Sequence, residues 1–224
     1  MKNHTETVNI NSAEELLEAR SIIYGAVSAL FSDPECEKFA MLMNPTFQSS
    51  ILDACVQLDK NNGMNGANLT ESIHRLLRKL DEFSLGNIQI EYVDVFGHTL
   101  SKQTAPYELE HLKNSDVYFK TQMLADLNGF YGAFGVEVQS KERADHISTQ
   151  TEFLSYLIMK ELYAIRKNLK EEKEVCQQAF IDFRQEHFSD WTEMFSENLS
   201  TKVEGEFYPI AGRFLRSFLE QEPS

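Results

Sequence analysis

Apolar residues recur along this chain at three- and four-residue intervals, the spacing that gathers them on one face of a helix. Leu16, Leu17, Ile23, Val27, Leu30 and Phe31 form one such stripe, which Asp33-Pro34 interrupts. Ser12, with Glu15 three positions on, has the form of a capping box for that helix. A short helix is expected over 35–43. Pro45 suits the first turn of the next, whose Phe47, Ile51, Leu52, Cys55 and Leu58 share a face. The run Asn61-Asn62-Gly63-Met64-Asn65-Gly66 reads as a turn-rich linker, after which Asn68 and Glu71 open a helix bearing Ile73, Leu76, Leu77 and Leu80.

Residues 88–96, IQIEYVDVF, are the one run where strand competes with helix, being β-branched, aromatic and partly alternating. No second run exists to pair with it, and a lone strand cannot satisfy its own backbone, so helix is the expectation. Gly97 to Pro106 reads as a polar loop, Ser115 to Phe134 as an aromatic-rich helix, and Gly135 to Arg143 as a connection. Asp145 is placed to cap a helix whose apolar stripe runs from Ile147 through Leu154, Leu157, Ile158, Leu162 and Ile165 to Leu169. Further helices are expected over 171–187, 188–199 and 203–221. The pattern predicts an all-α compact bundle of about ten helices, with no repeat of solenoid period. It divides into an N-terminal half (1–137), a hinge (138–146) and a C-terminal half (147–224).

Composition narrows the function. The net charge of -14 argues against nucleic-acid binding, which depends on cationic side chains meeting phosphates. An acidic surface serves solubility in most proteins and also suits a cationic partner. Cys36, Cys55 and Cys176 lie far apart with no CxxC spacing, which speaks against a disulfide framework or structural zinc and for a reducing compartment. The N-terminus lacks an apolar signal region, and neither a membrane-spanning run nor an Arg-Arg pair occurs. A cytoplasmic protein without membrane insertion is expected.

Local catalytic signatures are missing as well. The chain has no phosphate-binding glycine loop and no G-x-S-x-G, and its six histidines never fall at an H-x-x-x-H spacing. The Glu-His neighbours at 110–111 and 186–187 should point to different sides of a helix and not share an ion. No catalytic residue, metal site or cofactor is expected, and binding is favoured over catalysis.

Three ordered motifs carry a resemblance. The first is Glu91-Tyr92-x-x-x-Phe96-Gly97 followed by Pro106-Tyr107-Glu108. The second is Glu142-Arg143-Ala144-Asp145-His146-Ile147 followed by Glu152-Phe153-Leu154. The third is Glu186-His187-Phe188-x-x-Trp191, with a closing Phe207-Tyr208. Together they resemble the TorD/DmsD/NarJ family of molybdoenzyme maturation chaperones. Ala105, Leu109 and Arg143 stand where that family often has Pro, Ser and Pro. These departures bear on subgroup and client.

The resemblance implies a chaperone that binds the twin-arginine signal peptide, or the body, of an apo molybdoenzyme catalytic subunit. Such a protein assists molybdenum-cofactor insertion and delays export, as a monomer or a domain-swapped dimer pivoting on the hinge. Its alternative is a helical protein handling guanine nucleotide or molybdenum cofactor. An arginine-rich, partly apolar peptide requires carboxylates beside an apolar groove. Glu91, Glu108, Asp145 and Glu152 are candidates for the acidic end, and Tyr92, Phe96, Pro106 and Tyr107 for the wall. Asp145 has a second reading as a plain helix cap, and His146 is divided between packing and a pH-sensitive contact. Tyr92 and Phe96 at i and i+4 also fit a core. His187 and Trp191, one turn apart, are expected to pack on each other.

Overall fold

A computed structural model describes residues 2–63, 68–97, 104–112, 116–138 and 142–222. These residues are helical and connective, with no strand among them; the sole β-type pairing described is an isolated antiparallel bridge between Tyr107 and His146. The helices are α1 (Lys2–Leu30), α2 (Glu37–Ala40), α3 (Pro45–Asn62), α4 (Leu69–Glu82), α5 (Leu85–Phe96), α6 (Glu108–His111), α7 (Val117–Ala133), α8 (Ile147–Lys167), α9 (Lys170–Phe183), α10 (Ser189–Lys202) and α11 (Tyr208–Leu219). A 3₁₀ turn (Met41–Met43) follows α2, and a π turn (Arg184–Phe188) joins α9 to α10.

Local chemistry sets most boundaries. Asn44 accepts hydrogen bonds from the Thr46 and Phe47 amides ahead of Pro45, and Asn68 accepts from the Glu71 amide, as the sequence suggested. Residues 88–96 are indeed helical, and Ser84 caps their helix. Two expectations fail. Ser12 is not a cap, because α1 begins at Lys2 and nothing between them, neither Pro nor Gly, stops the helix. Asp145 does not cap α8 either; His146 does, its Nδ1 accepting the Ser148 amide at 3.2 Å. The linker residues 64–66, and most of the loop after Gly97, lie outside the described residues.

Helix α1 lies along α8, so the two sequence halves meet along one seam. Small residues permit the close approach: Ser28 donates to the Ser148 carbonyl at 2.7 Å, and Ser155 donates to the Ser21 carbonyl at 2.9 Å. Around the seam, Tyr24, Phe183, Phe188, Phe195, Tyr208, Phe214 and Phe218 fill a core of edge-on aromatic contacts. The far end of the described chain is pinned to α1. Glu222 receives two hydrogen bonds from Arg20, at 2.8 and 2.7 Å, and one from the Tyr24 hydroxyl at 2.7 Å.

Helix α11 is held by a carboxylate from α5. Glu91 accepts from the amides of Glu206, Phe207 and Tyr208 at 2.8–3.2 Å, capping α11 from a distant helix. A side chain at Gly205 would place its Cβ 2.5 Å from Glu91 Oε1, and a carboxylate held by three amides cannot retreat without losing them. Gly205→Ala is expected to cost about 1–2 kcal/mol, read as a lower urea midpoint at unchanged slope.

Candidate functional site

The three sequence motifs converge. Residues 106–108 pair in antiparallel fashion with 145–147: the Glu108 amide donates to the Asp145 carbonyl at 3.0 Å, and the Ile147 amide to the Pro106 carbonyl at 2.9 Å. Tyr131 of α7 fixes the hinge from behind, its buried hydroxyl donating to the Ala144 carbonyl at 2.7 Å. Asp145 is fully buried, holding the Leu109 amide and a two-pronged contact from Arg143 at 2.9 and 2.7 Å. It therefore ends the hinge and starts α6 rather than capping α8.

Behind this pairing runs a buried polar chain. Glu108, 2% exposed, accepts from Gln150 Nε2 at 2.6 Å and faces His187 Nδ1 at 3.2 Å. Trp191 Nε1 donates to Gln150 Oε1 at 3.1 Å and to the His187 carbonyl at 2.8 Å. So His187 and Trp191 meet through the backbone. The His187 ring packs on Phe130 and Phe183, and the indole on His111 and Phe195. Burial raises the Glu108 carboxyl above its usual range, although His187 and Gln150 oppose the shift. Burial works against charge on His187 too, but the carboxylates of Glu108 and Asp126 outweigh it and raise its pKa. The Glu108-x-x-His111 spacing brings no pair together, since His111 Nε2 meets the Ala105 carbonyl at 2.7 Å.

The front of the hinge carries a half-buried group of acidic and aromatic side chains, which we call the notch. Tyr107 stacks edge-on against His146 at 5.0 Å, and the Arg143 guanidinium lies 4.7 Å over the tyrosine ring. Tyr92 packs against Phe96 and Tyr208 and lies within the fields of Glu142, Tyr107 and Asp33; burial first, then these charges, raise its phenol well above the ordinary value. Burial raises Glu142 as well, with Asp33 adding to the shift and Lys38 opposing it. His146 is fully buried beneath. Since its Nδ1 accepts from Ser148, its proton sits on Nε2, which finds no hydrogen-bond partner; Glu142 Oε2 stands 3.7 Å away. Burial, with Lys38 and Arg143 nearby, pushes His146 down to about 3, which favours packing among the two roles the sequence left open.

The nine residues singled out from sequence thus divide. Tyr92, Tyr107 and His146 meet at the notch. Phe96 joins the core against Phe31, Phe195 and Tyr208, and Pro106 is buried in the pairing. Glu108 and Asp145 are committed to internal bonds, and Glu91 caps α11. Glu152 is exposed and pairs with Lys38 at 2.6 Å. Sequence reasoning missed Asp33, noticed only as a helix breaker, and Glu142, present in the second motif but given no role. It also missed Gln150 and Asp126, for which no local signal exists.

These features define a helical protein whose most connected residues build a scaffold behind a half-buried group of acidic and aromatic side chains. A family described as "Nitrate reductase delta subunit" matches residues 63–197, and the chain belongs to it, within the TorD/DmsD/NarJ group of molybdoenzyme maturation chaperones; it is not an enzyme. Two proteins named Chaperone protein TorD, from Vibrio parahaemolyticus and Vibrio vulnificus, are each 25% identical to it, over 90% of this chain and 91% of theirs. A crystal structure titled as a putative redox enzyme maturation protein from Archaeoglobus fulgidus aligns at 21% identity and a TM-score of 0.49, covering 89% of this chain and 93% of that one. Among the described residues, no helix is long and apolar enough to cross a membrane.

Proposed function

We propose that the notch of Asp33, Tyr92, Tyr107 and Glu142 over His146 holds the arginine-bearing end of a twin-arginine signal peptide. The peptide belongs to an apo molybdoenzyme catalytic subunit, kept in the cytoplasm while its molybdenum cofactor is inserted and before export. The observation carrying this reading is the pairing of two carboxylates with two tyrosine rings, one of which already has a guanidinium, that of Arg143, over its face. Carboxylates supply the charge-assisted bonds that arginine forms best, and tyrosine faces supply cation–π contacts. The guanine-nucleotide reading has less support. A cleft of about 870 Å³ does contain Arg20 and Arg184, but Glu161, Asp190, Glu193, Glu220 and Glu222 also line it, a poor setting for phosphates.

Titration of the purified chain with a fluorescent twin-arginine peptide tests the reading. Replacing the paired arginines with lysines should weaken binding, because lysine lacks the planar fork. The double variant Asp33→Asn, Glu142→Gln should lose about tenfold to hundredfold in affinity, one to two charge-assisted contacts, with an unchanged melting temperature. Equal affinity for a scrambled peptide, or undiminished binding by the double variant, refutes it.

A further inference from the structure

We propose that Asp126, Glu186 and His187 form a binding site for a divalent transition-metal ion of the zinc type, on the opposite side of Glu108 from the hinge pairing. Each offers one ligand atom, and the three atoms lie within 4.8 Å of one another. The sequence suggested that Glu186 and His187 would diverge, as neighbours on an α-helix do. They sit instead in the π turn Arg184–Phe188, whose wider winding narrows the angle between consecutive side chains; such turns are frequent at functional sites.

His187 is prepared as a ligand. The ring is fully buried and clamped edge-on by Phe130 and tilted by Phe183, so its direction is fixed. With Nδ1–H donated to the buried Glu108 carboxylate at 3.2 Å, the Nε2 lone pair faces outward; a carboxylate behind a ligating imidazole fixes the tautomer and strengthens the donor. Asp126 Oδ2 lies 3.1 Å from that Nε2, so an ion about 2.1 Å from both would subtend an angle of about 95°, between octahedral and tetrahedral values. Glu186, exposed like Asp126, completes the trio within the same 4.8 Å. One imidazole with two carboxylates suits zinc or its first-row neighbours rather than magnesium or calcium, which take oxygen donors. Three protein ligands leave a position for water or for a donor from a partner. The competing occupant is a proton, which turns the same 3.1 Å separation into an imidazolium–carboxylate hydrogen bond.

Calorimetric titration of chelator-treated full-length protein with Zn²⁺ discriminates between them, with Co²⁺ absorption as a second readout. The expected result is one bound ion per chain, accompanied by proton release, with no competition from Mg²⁺. Asp126→Asn and Glu186→Gln, both at exposed positions, should each weaken binding at least tenfold and reduce the Co²⁺ ligand-field bands, and Glu186→Gln should do so at an unchanged apo melting temperature. No binding by the wild type, or wild-type affinity in both variants, overturns the proposal.

Discussion

Glu91→Ala should lower the unfolding free energy by about 2–4 kcal/mol, because three amides at the start of α11 lose a charged acceptor at once. The effect is large because α11 delivers Tyr208, Phe214 and Phe218 to the core, so a frayed first turn loosens packing as well as hydrogen bonding. Glu91→Gln should cost roughly half as much, since an amide oxygen still accepts from one or two of the donors while its NH₂ group faces the others. Urea unfolding followed by circular dichroism measures both. The sequence had placed Glu91 at the acidic end of a peptide groove. A peptide contact alone would cost affinity at unchanged stability, whereas the capping contacts lead to a loss of stability.

His146 supplies the second large effect, one of pH. Its folded pKa is pushed down to about 3, whereas in the unfolded chain an imidazole protonates near 6.5. Between those values the unfolded chain binds a proton that the folded chain refuses, so stability falls as the pH drops through that window. The loss from this group should be about 2 kcal/mol at pH 5 relative to pH 8, growing to roughly 3–5 kcal/mol near pH 3. Glu108, Glu142 and Asp145 act in the opposite sense, because burial raises their pKa values and acid therefore favours their folded, neutral forms. Comparison with His146→Asn isolates the histidine, since asparagine keeps an acceptor for the Ser148 amide but does not titrate. Stability of the wild type relative to this variant should fall by about 2 kcal/mol between pH 8 and pH 5. A constant difference would mean that water reaches the ring and lets it charge.

The helices were legible wherever a face repeats over three turns or more. That is why α3, α4 and α8 were readable, whereas the strand-like 88–96 reads as helix only because no second run exists to pair with it. Helix α6 has four residues, too few to show a period, and exists because Asp145 and the 106–108 pairing hold its first amides. The one-residue error in the α8 cap has the same origin. Asp and His both stand at the helix mouth, and the choice between them fell to Leu109, 36 residues away. The π turn likewise leaves no local mark, because His187 is drawn to Glu108 across 79 residues. For the site, composition and motif order located the hinge region but not which contacts each carboxylate makes. Glu91 and Glu108 look alike in sequence to Glu142. Only the contacts they make with distant amides and rings separate them.

Glu222 sets an order on the life of the molecule. The Tyr24 hydroxyl and the Arg20 guanidinium lie 198 and 202 residues before the acceptor they share, so synthesis makes both donors long before it. Until then α1 emerges with a polar cluster that only water can satisfy, and its apolar face waits for α8 and α11. During that interval α1 carries donors without their protein acceptor and an apolar face without its cover.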